Sequence, residues 1–293
     1  MKIAVYGPEF NERSHSAIAA LFAYLGSKSA EVFVDAHFFN SILEHSSINI
    51  KANTLGTFTD LDDSFDLMIS VGGDGTILRA ITHVKDLDIP IVGINTGRLG
   101  FLATIKRDDI IGALDQIFEG KYRISKRSVL SVTTNQKESN FELDFALNEV
   151  TVSRKNTTSM ISIETWLDDE YLNSYWADGL IISTPTGSTG YSMSCGGPVI
   201  MPESDSLVIT PIAPHNLNAR PLVISAKHKI RLNVSGREHE YLVSLDSRIN
   251  SLDNSIGITI KKAAFDIKMI ELKAGTFIQT LRKKLLWGAD PRN

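Results

Sequence analysis

A carboxylate set among three glycines is the first feature of this sequence with chemistry in it. Gly72-Gly73-Asp74-Gly75-Thr76 follows the apolar run Phe65–Val71 and opens a helical stretch, Thr76–Val84. Glycines let the main chain approach a phosphate chain closely and turn its N–H groups toward it. A helix N-terminus behind them favours the same anion. Asp74 conflicts with that field unless it takes a proton or stands beside a divalent cation. It is therefore the candidate general base of a phosphoryl transfer, or a helper in placing Mg²⁺. The plain alternative is a glycine turn with Asp74 or Thr76 as helix N-cap. No Gly-Lys-Ser/Thr follows, so this is not a P-loop, and Thr76-Ile77-Leu78 breaks the GxGxxG fingerprint, which removes the main support for a hydride-transferring dehydrogenase.

Three further groups carry polar chemistry. Gly93–Phe101 follows an apolar run and offers Phe101 as a flat face and Arg98 as a charge. Asn148-Glu149 ends the run Phe141–Leu147; Asn can bond a base edge or a ribose, and Glu can accept from two hydroxyls. Neighbours in a strand face opposite ways, so one pocket takes both only if the strand bends. The richest group is Asp178-Gly179, the buried run Leu180–Ser183, and the hydroxyl array Thr184-Pro185-Thr186-Gly187-Ser188-Thr189-Gly190-Tyr191-Ser192, closed by Gly196-Gly197-Pro198. So dense a set of small donors and acceptors suits a sugar or amide group. Cys195, the single cysteine, reads as a small packed residue, and His215 as a local hydrogen-bond partner.

The elements that must hold these groups fall into two textures. Up to about Lys121, short apolar runs alternate with helical stretches: Ile3–Tyr6, helix Ser14–Leu25, Val32–Val34, Phe65–Val71, helix Thr76–Val84, Ile89–Ile94, helix Asp108–Phe118. This pattern predicts a Rossmann-like parallel sheet covered by helices. Beyond it come Ser128–Thr134, Phe141–Leu147, Ser159–Trp166, Leu180–Ser183, Leu207–Pro211, Lys229–Val234, Tyr241–Leu245, Ile256–Lys261 and Phe265–Ile270, several with period-two alternation. That succession predicts an antiparallel β-sandwich. The last stretch, Thr276–Trp287, reads as a helix packing back on the first domain, and Thr186–Ser194 opens another. The expected domains are 1–122, joined by 275–293, and 123–274.

The chain of 293 residues is 43% hydrophobic and 22% charged with a net charge of −4. That is a globular composition without a basic field for nucleic acid or an anionic membrane. One cysteine cannot form an internal disulfide or a Cys-rich zinc site. The apolar run at the N-terminus is too short for a secretory signal and none approaches a membrane span, so the expected compartment is the cytoplasm.

Taken together, Gly72–Thr76, Asn148-Glu149, Asp178-Gly179 with Thr184–Tyr191, Gly196-Gly197-Pro198, Pro214-His215-Asn216-Leu217 with Ala219-Arg220-Pro221-Leu222, and Ser244-Leu245-Asp246-Ser247 resemble the NAD kinases, in family order and across most of the chain. The resemblance implies ATP-dependent phosphorylation of the 2′-hydroxyl of the adenosine ribose of NAD, giving NADP, with Mg²⁺ or another divalent cation carried on the donor phosphates. It implies a Rossmann-like domain and a β-rich domain with NAD between them, and a homo-oligomer, a dimer of dimers, whose sites are shared between subunits. Asp74 would be the catalytic aspartate, and Gly72, Gly73, Gly75 and Thr76 would hold the donor phosphates. Gly75, Phe101, Asn148, Glu149, Thr186, Thr189, Gly190, Tyr191 and Ser194 would bind NAD, Glu149 on its ribose. Asp246 would lie near the diphosphate, and Asp178 would reach an NAD held mainly by the neighbouring subunit. Gly190 and Trp176 depart from residues common in the family, and Trp176 bears on the choice between NAD and NADH. A diacylglycerol-type lipid kinase, which shares the glycine loop, and a non-catalytic NAD-binding sensor are the rival readings.

Overall fold

The structure, a computed structural model, describes residues 1–45, 48, 55–136, 141–156, 159–273 and 276–287. Residues 275 and 288–293 of the expected C-terminal segment lie outside them. In chain order the first elements are β1 (Lys2–Tyr6), α1 (His15–Gly26), β2 (Glu31–Asp35), α2 (Ala36–His45), β3 (Gly56–Phe58), β4 (Leu67–Gly72), α3 (Asp74–Val84), β5 (Ile91–Asn95), β6 (Ile105–Lys106), α4 (Ile110–Phe118) and β7 (Tyr122–Thr134). They continue with β8 (Phe145–Ala146), β9 (Glu149–Arg154), β10 (Ile161–Leu167), β11 (Glu170–Ala177), β12 (Gly179–Ser183), α5 (Tyr191–Ser194), β13 (Ser206–Ile212), β14 (Leu222–Ser225), β15 (Ile230–Ser235), β16 (Glu240–Leu245), β17 (Arg248–Asp253), β18 (Ile258–Leu272) and α6 (Phe277–Leu285). The chain forms two compact units, Met1–Lys126 with Ile267–Asn293, and Arg127–Asp266.

The first unit is an α/β layer structure. Its strands run parallel in the order β5-β4-β1-β2-β3, with the end of β18 beside β5 at Met269. All six residues of β4 and all five of β5 are buried, as strands covered on both faces require. Ile18, Leu21 and Leu25 of α1 and Ile110, Leu114 and Ile117 of α4 share one core with β1, β2, β4 and β5. The C-terminal helix belongs to this unit: Thr276 caps α6 by accepting from the Gln279 N–H at 3.3 Å, and Leu281 is buried.

The second unit is a β-sandwich. One sheet has the order β14-β13-β12-β9-β16-β17, every neighbouring pair antiparallel. The other places β11, β10, β15 and β18 side by side, also antiparallel. Inward residues of both, among them Ile163, Leu232 and Ile258 from one and Val152, Leu180, Ile209 and Val243 from the other, form one core. Among the described residues no helix is long and apolar enough to cross a membrane.

Several elements differ from their sequence-based bounds. Of Phe141–Leu147 only Phe145–Ala146 is a strand, because exposed Glu142 and Asp144 interrupt the run. Ile256–Lys261 and Phe265–Ile270 are parts of one 15-residue strand, which passes from the second unit into the first. Helix α2 and strands β3, β6, β9, β11, β14 and β17 were not anticipated. β3, β11, β14 and β17 lie at sheet edges, where half-exposed faces blur the hydrophobic alternation; β6 has two residues, and β9, though central, has only Val150 and Val152 as apolar residues. Thr186–Ser194 is no continuous helix: a 3₁₀ turn at Gly187–Thr189 is followed by the single turn of α5, broken at Gly190.

Candidate active site

Two groups of polar residues, one in each unit, hold the residues singled out by the sequence. In the first, β4 runs directly into α3 with Gly73 as N-cap, so neither Asp74 nor Thr76 caps the helix. Thr76 instead turns its hydroxyl back to accept from the Gly73 N–H at 3.3 Å. Gly72 must lack a side chain, since a Cβ there would land on the Thr76 hydroxyl. Asp74 and Gly75 occupy the first turn of α3, where backbone N–H groups have no intrahelical acceptor and remain available to an anion.

The Asp74 carboxylate is held by three consecutive main-chain amides. Phe101 N–H donates to Oδ2 at 2.6 Å, and Leu102 and Ala103 N–H donate to Oδ1 at 3.0 and 2.9 Å. A carboxylate has about four acceptor positions, so one on Oδ2 is left for a further donor. Gly100 makes the seat possible: a Cβ there would collide with the Asp74 carboxylate. The preceding turn is shaped by buried Asn95, whose amide donates to Arg98 O at 2.8 Å and whose oxygen accepts from Gly97 N–H at 2.7 Å. Sequence reasoning singled out Asp74 and Phe101 but not this bond between them, nor the part played by Gly100. Phe101 is partly covered by α6, with Phe277 as a tilted ring neighbour (6.1 Å between centroids) and Lys284 5.6 Å above its ring.

In the second unit the strand does bend at Asn148-Glu149. Asp246 lies in a left-handed turn (φ 55°) after β16, its side chain 2% exposed, and accepts from the N–H groups of Leu147, Asn148 and Glu149 at 3.0, 2.8 and 3.2 Å. Its carboxylate is thereby turned into the protein and spent on the backbone that presents Asn148 and Glu149. Thr184 stitches the hydroxyl array to the same segment: its hydroxyl donates to Leu147 O at 2.6 Å and accepts from Gly187 N–H at 3.1 Å. Gly187 packs against Asn148 so closely that a Cβ would fall on the Asn148 carbonyl. A Cβ on Gly190 would sit 3.0 Å from Glu149 Oε2 and 3.7 Å from Asn148 Nδ2, so these side chains converge on Gly190.

Four buried polar atoms here have no hydrogen-bond partner: Asn148 Oδ1, Glu149 Oε2, Ser183 Oγ and Thr186 Oγ1. Ser183 stands opposite Glu149 in the β9–β12 register, and sequence reasoning assigned it no separate role. Orphaned buried groups cost about 1–3 kcal/mol each, so a cluster of them marks a place where a ligand supplies the partners. Burial, with the Asp246 charge adding to it, pushes the Glu149 carboxyl up to about 8. Burial also raises Asp246, against the lowering effect of its three amides. Those amides need an acceptor, so Asp246 keeps the charge and Glu149 keeps the proton at neutral pH.

The remaining candidates lie around this group without joining it. Thr189 donates to Thr186 O at 3.2 Å, while Tyr191 and Ser194 are exposed on α5. The Tyr191 phenol is raised by burial first, then by Cys195 and Asp178 nearby. Asp178 forms an ion pair with Arg154 at 2.9 Å. Trp176 is exposed and stacks edge-on against His215, centroids 4.6 Å apart. Among the described residues no cluster of three or more His, Cys, Asp or Glu side chains is arranged to hold a metal ion.

Both parts of the chain match domains of known proteins. Residues 12–122 match the ATP-NAD kinase N-terminal domain and residues 147–272 the ATP-NAD kinase C-terminal domain. The NAD kinase of Flavobacterium psychrophilum is 59% identical and that of Christiangramia forsetii 55%, each over the full length of both chains. Among solved structures, yeast NADH kinase complexed with NADH shares the fold at a TM-score of 0.86 and 22% identity, covering 99% of this chain and 89% of that one. An NAD kinase from Archaeoglobus fulgidus in complex with ATP is similar at 0.76 and 26% identity, covering 98% and 99%. Full-length identity of this order, with both domain families matched in order, establishes that the chain belongs to the ATP-NAD kinase family.

Proposed function

We propose that this phosphotransferase moves the γ-phosphoryl group of ATP to the 2′-hydroxyl of the adenosine ribose of NAD, giving NADP and ADP. The observation that carries the reading is the set of orphaned polar atoms on Asn148, Glu149, Ser183 and Thr186. Amide and hydroxyl acceptors together with a protonated carboxyl suit a ribose and a base edge. A lipid substrate would call for an apolar groove there instead. Gly75, Phe101, Thr189, Gly190, Tyr191 and Ser194 are assigned to the same dinucleotide, and Asp246 acts through the backbone it holds.

Asp74 is assigned to the hydroxyl. Its remaining acceptor position takes the ribose proton as the O–P bond forms and the bond from the γ-phosphorus to the bridging oxygen breaks, the electron pair leaving with ADP. Three amides fix the carboxylate beforehand, so its orientation costs nothing during the reaction. First-turn N–H groups of α3, with Gly72, Gly73, Gly75 and Thr76, are assigned to the donor phosphates. Among the described residues no cluster of His, Cys, Asp or Glu forms a cage for a divalent ion, and MgATP is the form of the donor we assign. When bound with ATP, Mg²⁺ neutralises charge on the phosphates.

The proposal extends to organisation. The domains are 1–122 with 275–293, which carries the donor-phosphate residues together with Gly75 and Phe101 for NAD, and 123–274, which carries the other NAD residues. The protein assembles as a homo-oligomer, a dimer of dimers, with Asp178 serving an NAD of the neighbouring subunit; exposed Leu222 and Val223 on edge strand β14, with Leu217 in the segment before it, support such contacts. A single cysteine, Cys195, suits the cytoplasm. Incubation with NAD, ATP and Mg²⁺ tests the reading: NADP forms, NAD lacking the 2′-hydroxyl on its adenosine is inert, and diacylglycerol is not labelled. NAD binding without product would favour a sensor, and labelled diacylglycerol a lipid kinase.

A further inference from the structure

One short turn of chain grips the segment that presents Asn148 and Glu149 from two sides. Asp246 takes its N–H groups, and Arg248, which opens β17 two residues later, takes its carbonyls. Arg248 Nη1 donates to Leu143 O at 3.4 Å, Nη2 donates to Phe145 O, and Nε donates to Leu245 O at 3.3 Å, back across its own turn. The guanidinium also lies over the Phe145 ring, 5.2 Å from its centroid, and stands 4.0 Å from Asp246 Oδ2. Phe145 is braced in turn by Phe265 of β18, centroids 5.5 Å apart.

The need for such a partner follows from the strand itself. β8 has two residues and pairs with β7, Leu130 opposite Ala146 and Ser131 opposite Phe145. Asp144 O accepts from Val132 N–H at 2.7 Å, toward β7. Carbonyls alternate along a strand, so those of Leu143 and Phe145 point the other way, and Arg248 meets them where a neighbouring strand would. A guanidinium has five donors in one rigid plane, so it can serve several carbonyls and cover a ring at once; a compact ammonium cannot. Charge favours the same residue. Burial raises Asp246, while its three amides and then Arg248 oppose that rise. Burial lowers Arg248, and Asp246, Asp144 and Glu142 oppose the fall. The cation thus helps Asp246 keep its charge beside Glu149, and with the charge its hold on the three amides.

We propose that Arg248 is a positioning residue of the dinucleotide site, one that touches no ligand and sets the orientation of Asn148 and Glu149 through the backbone of 143–149 and through Asp246. The inference rests on the NAD reading of those two residues, and the experiment separates the two. NADP formation by the unaltered protein tests the activity. Hydrogen exchange on the ligand-free protein tests the grip: in Arg248→Met the amides of Leu147, Asn148 and Glu149 should exchange about tenfold faster, while those of β10 and β15 in the other sheet keep their rates. Steady-state kinetics test the consequence. KM for NAD should rise about tenfold, with kcat within threefold and KM for ATP within twofold, because the Asp74 seat is untouched. Arg248→Lys keeps a cation beside Asp246 without the planar fork, and should raise KM for NAD about threefold with a smaller gain in exchange; it carries the test if the methionine variant does not fold. Unchanged exchange at 147–149 in a folded variant, or equal rises in KM for NAD and ATP, would overturn the role of Arg248 even if NADP forms. Faster exchange with KM for NAD within twofold would overturn the inference through the NAD reading of Asn148 and Glu149 instead.

Discussion

Asp74 and Glu149 are both acidic residues where a strand ends or begins, yet their surroundings are opposite. Asp74 is held in place: three amides from Phe101 to Ala103 fix it with one acceptor position left open, and Gly100 leaves it room. Glu149 is buried beside a second carboxylate, with Oε2 unpartnered and its proton retained to about pH 8. The first arrangement orients a group ahead of the chemistry; the second leaves polar atoms unsatisfied until a ligand arrives. Stability is given up at the second site and not at the first, which is how a reacting group differs from a recognition surface.

Substitutions that disturb each region should therefore fail in different ways. Among changes to the residues that support these two groups, Gly100→Ala should have the largest effect, lowering kcat roughly 100-fold by displacing Asp74 while NAD affinity, read by titration, stays within twofold. Thr186→Val acts on the other region. It should weaken NAD binding about tenfold and yet leave the ligand-free protein as stable or about 1 kcal/mol more stable in denaturant, because it removes a buried hydroxyl without a partner. A loss of stability would mean that the hydroxyl is satisfied within the fold.

The smallest effect concerns pH. Glu149 holds its proton in the folded chain up to about 8, against 4.5 ordinarily, so between those values the folded state binds more protons than the unfolded one. Its contribution to stability is therefore present at low pH and lost as pH rises through that window. Glu149→Gln should stabilise the ligand-free protein at pH 9, with the gain fading toward pH 4. Urea unfolding at the two pH values checks both the sign and the window.

The same contrast explains what could be read from the sequence. Gly72–Thr76, Asn148-Glu149 and Thr184–Tyr191 were legible because residue type and close spacing carry their chemistry. The seat of Asp74 was not, since its amides lie 27–29 residues downstream and amide donors leave no mark on residue type. Asp246 was legible as a member of the site, but its inward turn depends on a left-handed backbone and three long-range bonds. The two textures of the chain appear as an α/β unit and a sandwich because burial on both faces and burial on one leave different periods. Edge strands such as β14, with three of its four residues exposed or nearly so, carry too weak a version of that signal.

The role of Asp74 is tested most directly by Asp74→Asn, an isosteric change that keeps an oxygen for the two amides on Oδ1 and removes the base. Single-turnover formation of NADP, measured with NAD and MgATP saturating, should fall by roughly 10³-fold or more, with NAD affinity within threefold of the unaltered protein. NADP formation at the original rate by this variant would contradict the account.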